Sequence, residues 1–183
     1  MDFDDSGDWL AQARRCASPN CDARPPGTEI ELLVVHGISL PPGEFGGPHI
    51  DALFCNRLDA RAHEYFAAIS ALRVSAHLLV RRDGEVVQYV PFSKRAWHAG
   101  VSSFGGRERC NDYSVGIELE GTDDRPYSDP QYERLGAVVR LLRRRWPLID
   151  EQRVVGHCDI APGRKTDPGP IFDWRRLREA SRR

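Results

Sequence analysis

Glu31-Leu32-Leu33-Val34-Val35-His36 is an unbroken apolar run that ends on an imidazole. A half-buried strand alternates apolar and polar side chains, whereas a short run without alternation reads as a strand covered on both faces. Moving outward, Ser114-Val115-Gly116-Ile117-Glu118-Leu119-Glu120 does alternate and supplies a central strand candidate. Arg153-Val154-Val155-Gly156-His157 reads as a third strand and, like the first, ends on histidine. Residues 76–81 and 86–90 flank Arg82-Asp83-Gly84-Glu85, and Asp-Gly is a hairpin signal because both residues tolerate positive φ. Residues 131–146 form the clearest helix, with Leu135, Val138, Val139, Leu142 and Trp146 in one stripe. Ser128 or Asp129 can cap it, Pro130 suits its first turn, and Arg143, Arg144 and Arg145 read as a solvated last turn that favours the helix dipole. Residues 48–57, 63–72 and 174–181 are further helix candidates. Strands interleaved with helices give an α/β fold, a single domain over residues 1–183 with one central mixed β-sheet flanked by helices.

Composition sets limits on function. A chain of 183 residues, 40% hydrophobic and 29% charged, suits one ordinary globular core. The net charge of −1 creates no field to draw nucleic acid or an anionic membrane, so neither is expected as a partner. No stretch approaches the roughly 18 apolar residues of a membrane span. Asp2, Asp4, Asp5 and Asp8 replace the basic segment of a secretory signal, so none is expected. Five cysteines with no CxxC pair argue against a disulfide framework and for a reducing cytoplasm. Proline and glycine gather in loops, and residues 41–48 are the candidate for a mobile rim.

Two strands ending on histidine raise the question of a metal. His36, His157 and Asp167 offer two imidazoles and a carboxylate, with Asp167 in a loop stiffened by Pro162, Pro168 and Pro170. Such a set leaves a fourth position open, as a catalytic zinc requires. His77 and His98 could compete as ligands, and no HExxH segment decides among them. His49 and His63 read as surface residues. On an alternating strand Glu118 and Glu120 share a face, which must be solvent or a cleft. Cys158 beside His157 suggests a thiol nucleophile, but neighbours on a strand point to opposite faces, so a buried structural thiol is the better reading.

Several longer segments now bear on the choice. They are residues 33–46 (Leu33-Val34-Val35-His36-Gly37-Ile38-Ser39-Leu40-Pro41-Pro42-Gly43-Glu44-Phe45-Gly46), 74–77, 95–102, 106–112, 114–122 and 156–169. In this order they resemble the motifs of AmpD-type N-acetylmuramoyl-L-alanine amidases, over nearly the whole chain. The likeness to phage amidases and peptidoglycan recognition proteins is more distant.

The resemblance implies a peptidoglycan-recognition-protein/amidase-like fold, with motifs over about residues 30–170. It implies that His36, His157 and Asp167 bind Zn2+ and that Glu118 and Lys165 are catalytic. A bound zinc polarises an amide carbonyl and acidifies water. Glu118 would move a proton from water to the leaving amine, and Lys165 would hold a cation where negative charge develops. Arg73 and Arg109 match positions that meet stem-peptide carboxylates, which a planar guanidinium pairs bidentately. Trp97, His98 and Ala161 fall among the expected substrate contacts, with His98 also able to stand behind a ligand. After its first ligand the family carries Asn, where this chain has Gly37. The implied activity is cleavage between the lactyl group of (1,6-anhydro)-N-acetylmuramic acid and L-alanine in cytoplasmic peptidoglycan fragments. It would serve cell-wall recycling and, indirectly, β-lactamase regulation, in a monomer whose partner is an anhydromuramyl peptide. The alternative is a non-catalytic module that binds peptidoglycan fragments.

Overall fold

Residues 32–35 are completely removed from solvent and lie at the middle of the fold. The computed structural model describes residues 1–182. In chain order, β1 (Arg14–Arg15) and β2 (Cys21–Ala23) lead into β3 (Leu32–Ile38), followed by α1 (His49–Phe54) and α2 (Glu64–Ile69). β4 (Leu78–Val80) and β5 (Val86–Gln88) form the hairpin expected around Asp83-Gly84. β6 (Lys94–Ala96), β7 (Ser103–Phe104) and β8 (Arg107–Glu108) precede β9 (Ser114–Glu120). α3 (Asp129–Arg145), β10 (Val154–Gly156), α4 (His157–Ile160) and α5 (Trp174–Arg182) complete the chain.

Six strands form one mixed sheet in the order β1-β5-β4-β9-β3-β10. β10, β3, β9 and β4 run parallel, and β5 runs antiparallel to β4. Parallel pairing needs cover on both faces, and here each face has it. On one side Leu33, Val35, Val115, Ile117 and Leu119 pack with the α3 stripe of Leu135, Val138, Val139 and Leu142. On the other, Leu32 and Val34 meet Tyr113, Val155 and Ile160, while Leu79 and Val87 meet α1 and α2 through Phe54 and Phe66. No helix among the described residues is long and apolar enough to cross a membrane.

α3 begins two residues before the apolar period because Ser128 closes a capping box with Gln131. Trp146 stands just past its end, with Phe3 and Phe92 against its ring at 5.9 and 5.5 Å. Gly136 faces α5, where an added Cβ would lie 2.6 Å from the Cβ of Ala180.

Three expectations change, and five short strands had no counterpart among them. The third strand stops at Gly156, and His157 opens α4 instead of ending a strand. The alternating strand β9 has no open face, since all seven of its residues are buried. The short edge strands β1, β2, β6, β7 and β8 have no periodic signal in the sequence, because two or three residues cannot show one. His49 and His63 are half-buried with Phe66 against their rings, and His63 caps α2 by accepting from the Tyr65 amide at 3.1 Å.

Candidate metal centre and cleft

β3 and β9 pair in register, with His36 directly beside Glu118. Both side chains project from the sheet face that carries Leu32 and Val34, near the C-terminal ends of parallel strands. β10 lies on the other side of β3 and delivers His157 through the first turn of α4. The loop after α4 returns over the site, and the Cys158 amide donates to the Asp167 carbonyl at 3.0 Å. Tyr127 holds the same loop by donating to the Pro168 carbonyl at 2.9 Å.

These connections bring the three predicted ligands together. The Nδ1 atoms of His36 and His157 are 3.0 Å apart, and Asp167 Oδ2 lies 3.3 and 3.1 Å from them. The ligand atoms of the three side chains all lie within 4.8 Å of one another. Their outer contacts fix which nitrogens face inward. The Ala99 carbonyl can only accept, so His157 Nε2, 3.2 Å away, carries the proton and leaves the Nδ1 lone pair toward the cluster. On the far side of His36, Nε2 meets His98 Nδ1 at 2.9 Å, and His98 Nε2 meets Ser114 Oγ at 3.1 Å. That chain suits donation outward from His36 and a free Nδ1 inward.

The charge states favour a cation between these atoms. Burial pushes His36 down to about 4, with repulsion from His157 adding to it and the Asp167 hydrogen bond opposing. Burial alone would raise the Asp167 carboxyl, but the adjoining His157 and His36 rings hold it well below the usual carboxylate range. Two imidazole nitrogens and a carboxylate oxygen facing one another form the donor set of a zinc site with an open place.

His98 and His77 occupy different roles. His98 is buried against Gly116, where an added Cβ would lie 2.4 Å from its ring, so only glycine on β9 lets this ring reach His36. It stands behind a ligand, not in the position of one. Burial, then the neighbouring histidines, push it well below its ordinary value. His77 accepts from the Gly116 amide at Nδ1 and donates from Nε2 to the Lys94 carbonyl, each at 3.1 Å. Both nitrogens are used, so His77 is a core histidine. Burial, then the charge of Arg24, drive it to about 3.

Glu118 is 9% exposed, and its Oε2 is buried with no hydrogen-bond partner among the described residues. Burial raises its pKa well above the ordinary value, the Asp167 charge adds to this, and Lys165 pulls the other way. Glu120, on the same face and 1% exposed, is fully engaged. It accepts from Arg81 at 3.3 Å, from the Gly46 amide at 2.7 Å and from the Arg82 amide at 3.2 Å. One strand face therefore holds a paired carboxylate and an unpaired one. The bond to Gly46, with Phe45 under the guanidinium groups of Arg82 and Arg125, ties down residues 41–48.

A cleft of about 560 Å³ opens over the cluster. Glu118, Lys165 and Trp97 line it, with an apolar wall from Leu53, Phe54 and Leu72. Lys165 is exposed at its edge. Trp97 is fixed by donation from Nε1 to Asp22 at 3.2 Å. Arg109 and Ala161 line a separate hollow of about 590 Å³ beside Val101 and Pro162. Arg164 stands between, donating to the carbonyls of Ala99 and Val101 at 2.6 and 2.7 Å. Arg73 lines neither, and its guanidinium folds back onto the carbonyls of Ser70, Ala71 and Leu72. Cys158 is half-buried, not buried, and burial raises its thiol. Its neighbour His157 has both nitrogens committed elsewhere, so no thiol–imidazole pair forms.

Sequence reasoning did not find Tyr127 or Asn111. The Asn111 side chain accepts from the amides of His98 and Ala99 at 3.1 and 2.8 Å and so sets the chain that reaches both metal-side histidines. Asn111 lies within a quoted motif, whereas Tyr127 carries no signal at all. Its hydroxyl lies close to Gly37, where an added Cβ would be 2.6 Å from Tyr127 Oη.

The family model described as N-acetylmuramoyl-L-alanine amidase matches residues 26–170. The chain is 66% identical over 170 residues to the 1,6-anhydro-N-acetylmuramyl-L-alanine amidase AmpD of Citrobacter freundii, covering 93% of this chain and 90% of that protein. It is 65% identical to the AmpD of Escherichia coli K12, covering 93% and 92%. A crystal structure of a selenomethionine AmpD derivative superposes with a TM-score of 0.94 at 63% identity, covering 98% of this chain and 99% of that one. The E. coli amidase AmiD, in complex with anhydro-N-acetylmuramic acid-L-Ala-D-gamma-Glu-L-Lys, aligns at a TM-score of 0.62 and 28% identity, covering 86% and 60%. The shared fold thus agrees with the motif order, and the chain belongs to the N-acetylmuramoyl-L-alanine amidase family, hydrolases that act on an amide bond.

Proposed function

We propose that this chain hydrolyses the amide between the lactyl group of 1,6-anhydro-N-acetylmuramic acid and L-alanine in peptidoglycan fragments, with zinc held by His36, His157 and Asp167. One observation carries the reading: three inward-facing ligand atoms converge beside a buried carboxyl whose Oε2 has no partner among the described residues. A pure binding module has no use for that unpaired group, which costs free energy to keep. The names of the AmpD relatives and the substrate bound to AmiD support the choice of bond.

When bound, zinc supplies Lewis acidity toward the amide carbonyl and toward water. Glu118 provides the proton path. As a carboxylate it would take a proton from the attacking water, and the burial that favours its protonated form suits it to hold that proton for the departing amine of L-alanine. Lys165 offers a cation at the cleft edge, where the carbonyl oxygen gains charge. His98 and the Ala99 carbonyl hold the two imidazoles in the required orientation. Trp97 walls the sugar or the first peptide residues. Arg109, with Ala161, would receive a stem-peptide carboxylate in the adjoining hollow, and Arg73 could do so only by leaving its own loop carbonyls. The whole of residues 1–183 would act as one amidase domain, a cytoplasmic monomer in wall recycling. Its turnover of anhydromuramyl peptides would bear on β-lactamase induction, without nucleic-acid or membrane partners.

The test is release of free peptide amine from 1,6-anhydromuramyl-tripeptide by zinc-replete protein. Glu118→Ala should be slower by about 10²–10⁴-fold. Turnover by that variant at the wild-type rate would remove Glu118 from the mechanism.

A further inference from the structure

Five free thiols lie among the described residues, and two of them touch. Cys16 Sγ and Cys55 Sγ are 3.5 Å apart although 39 positions separate them in the chain. Both are half-buried. Cys16 continues the β1 edge, where its amide donates to the Gln88 carbonyl at 3.0 Å. Cys55 caps the end of α1.

The backbone around the pair is clamped. Ser18 Oγ donates to the Phe54 carbonyl at 2.5 Å, and Asn20 Nδ2 lies 3.2 Å from the same carbonyl. Asn20 and Asn56 exchange side-chain hydrogen bonds at 2.9 and 3.0 Å, with Asn56 in the left-handed region at φ 58°. Two segments stapled next to a thiol pair hold the sulfurs at high effective concentration. The entropy of bringing the two chain segments together has already been met by folding.

We infer that Cys16 and Cys55 form a redox-responsive dithiol that closes to an intramolecular disulfide by exchange with a small-molecule disulfide. The Cys55 thiolate attacks one sulfur of the reagent, forming a mixed disulfide and releasing one thiolate. The Cys16 thiolate then attacks Cys55 Sγ and displaces the second reagent thiolate. The protein loses two hydrogens, which leave as protons and reappear on the two reagent thiols, so the reagent is reduced by two electrons. Burial first, and the adjacent Cys55 next, push the Cys16 thiol up to about 11, which slows its attack as a thiolate at neutral pH.

The clamp reaches the cleft. Asn20 also donates to the Val74 carbonyl at 2.7 Å, and Ser75 Oγ donates to the Asn20 carbonyl at 2.7 Å. Phe54, Val74 and Ser75 line the cleft wall. A covalent tie between residues 16 and 55 therefore stiffens the wall opposite the metal side. The proposal does not depend on which substrate the cleft takes.

The experiment incubates the folded full-length protein with oxidised glutathione at neutral pH, then alkylates remaining thiols and measures intact and peptide masses. The expected result is loss of two hydrogens, a 16–55 cross-linked peptide, a higher Tm, and reversal of all three by dithiothreitol. Cys21→Ser should behave like wild type, whereas Cys16→Ser and Cys55→Ser should never give the cross-link. Glutathione adducts that persist without a cross-link, an unchanged mass, or a cross-link through Cys21 would each overturn the proposal.

Discussion

Glu118 is the residue whose environment departs most from its chemistry. A carboxyl with a raised folded pKa contributes stability that is fully present below the ordinary carboxylate value and is lost as pH rises through the folded one. Glutamine never ionises, so it escapes that loss. In metal-stripped protein, Glu118→Gln should therefore be more stable than wild type at neutral pH, with the gap closing on acidification through the ordinary carboxylate range. Urea unfolding across pH measures this, and a gap that widened toward acid would contradict the burial argument. Which carboxyl on β9 would be unpaired was not legible in the sequence. Glu118 and Glu120 sit at equivalent alternating positions, and only the folded chain shows Arg81 and the Gly46 amide spent on Glu120.

Among elements, α3 was almost fully readable, because a long amphipathic period and a capping box are local properties. Its partner was not. Gly136 looks like a weak point in a helix, where alanine ordinarily gains about 1 kcal/mol. Against α5, however, a Cβ at this position would meet Ala180 at 2.6 Å and its carbonyl carbon at 2.7 Å. Gly136→Ala should consequently lower stability by roughly 1–3 kcal/mol, the usual cost of overpacking. Denaturant unfolding decides it, since an equal or higher midpoint would mean that α3 and α5 are less closely fitted than they are here. The boundary of β10 shows the opposite lesson. Residues 153–157 read as one strand, yet the chain turns into α4 at His157, where the Asp159 side chain accepts from the Gly156 amide at 2.7 Å. That turn points the His157 ring at His36 and separates it from Cys158.

At the scale of the whole molecule, three distant parts of the chain pool their stability in one site. An ion that binds only the folded arrangement adds stability by mass action, about 4 kcal/mol at a thousandfold excess over Kd. Zinc added to chelator-treated protein should raise Tm, and Asp167→Ala should remove most of that rise. A wild-type Tm indifferent to chelator and zinc would mean that the cluster holds no ion. The sequence by itself determined the α/β class, the buried strand that carries His36 and the long helix, because each follows from neighbours within one or two turns; that the strand runs on to Ile38 came from its pairing with β9. Ordered motifs also identified the family and three residues capable of holding a metal. Tertiary structure alone decided that His98 stands behind His36, that His77 is spent in the core and that Gly37 leaves room for Tyr127. It also decided that Cys16 meets Cys55. Each of these depends on which side chain arrives from a remote segment to take up a hydrogen bond or a few ångströms of space, and no local period encodes that arrival.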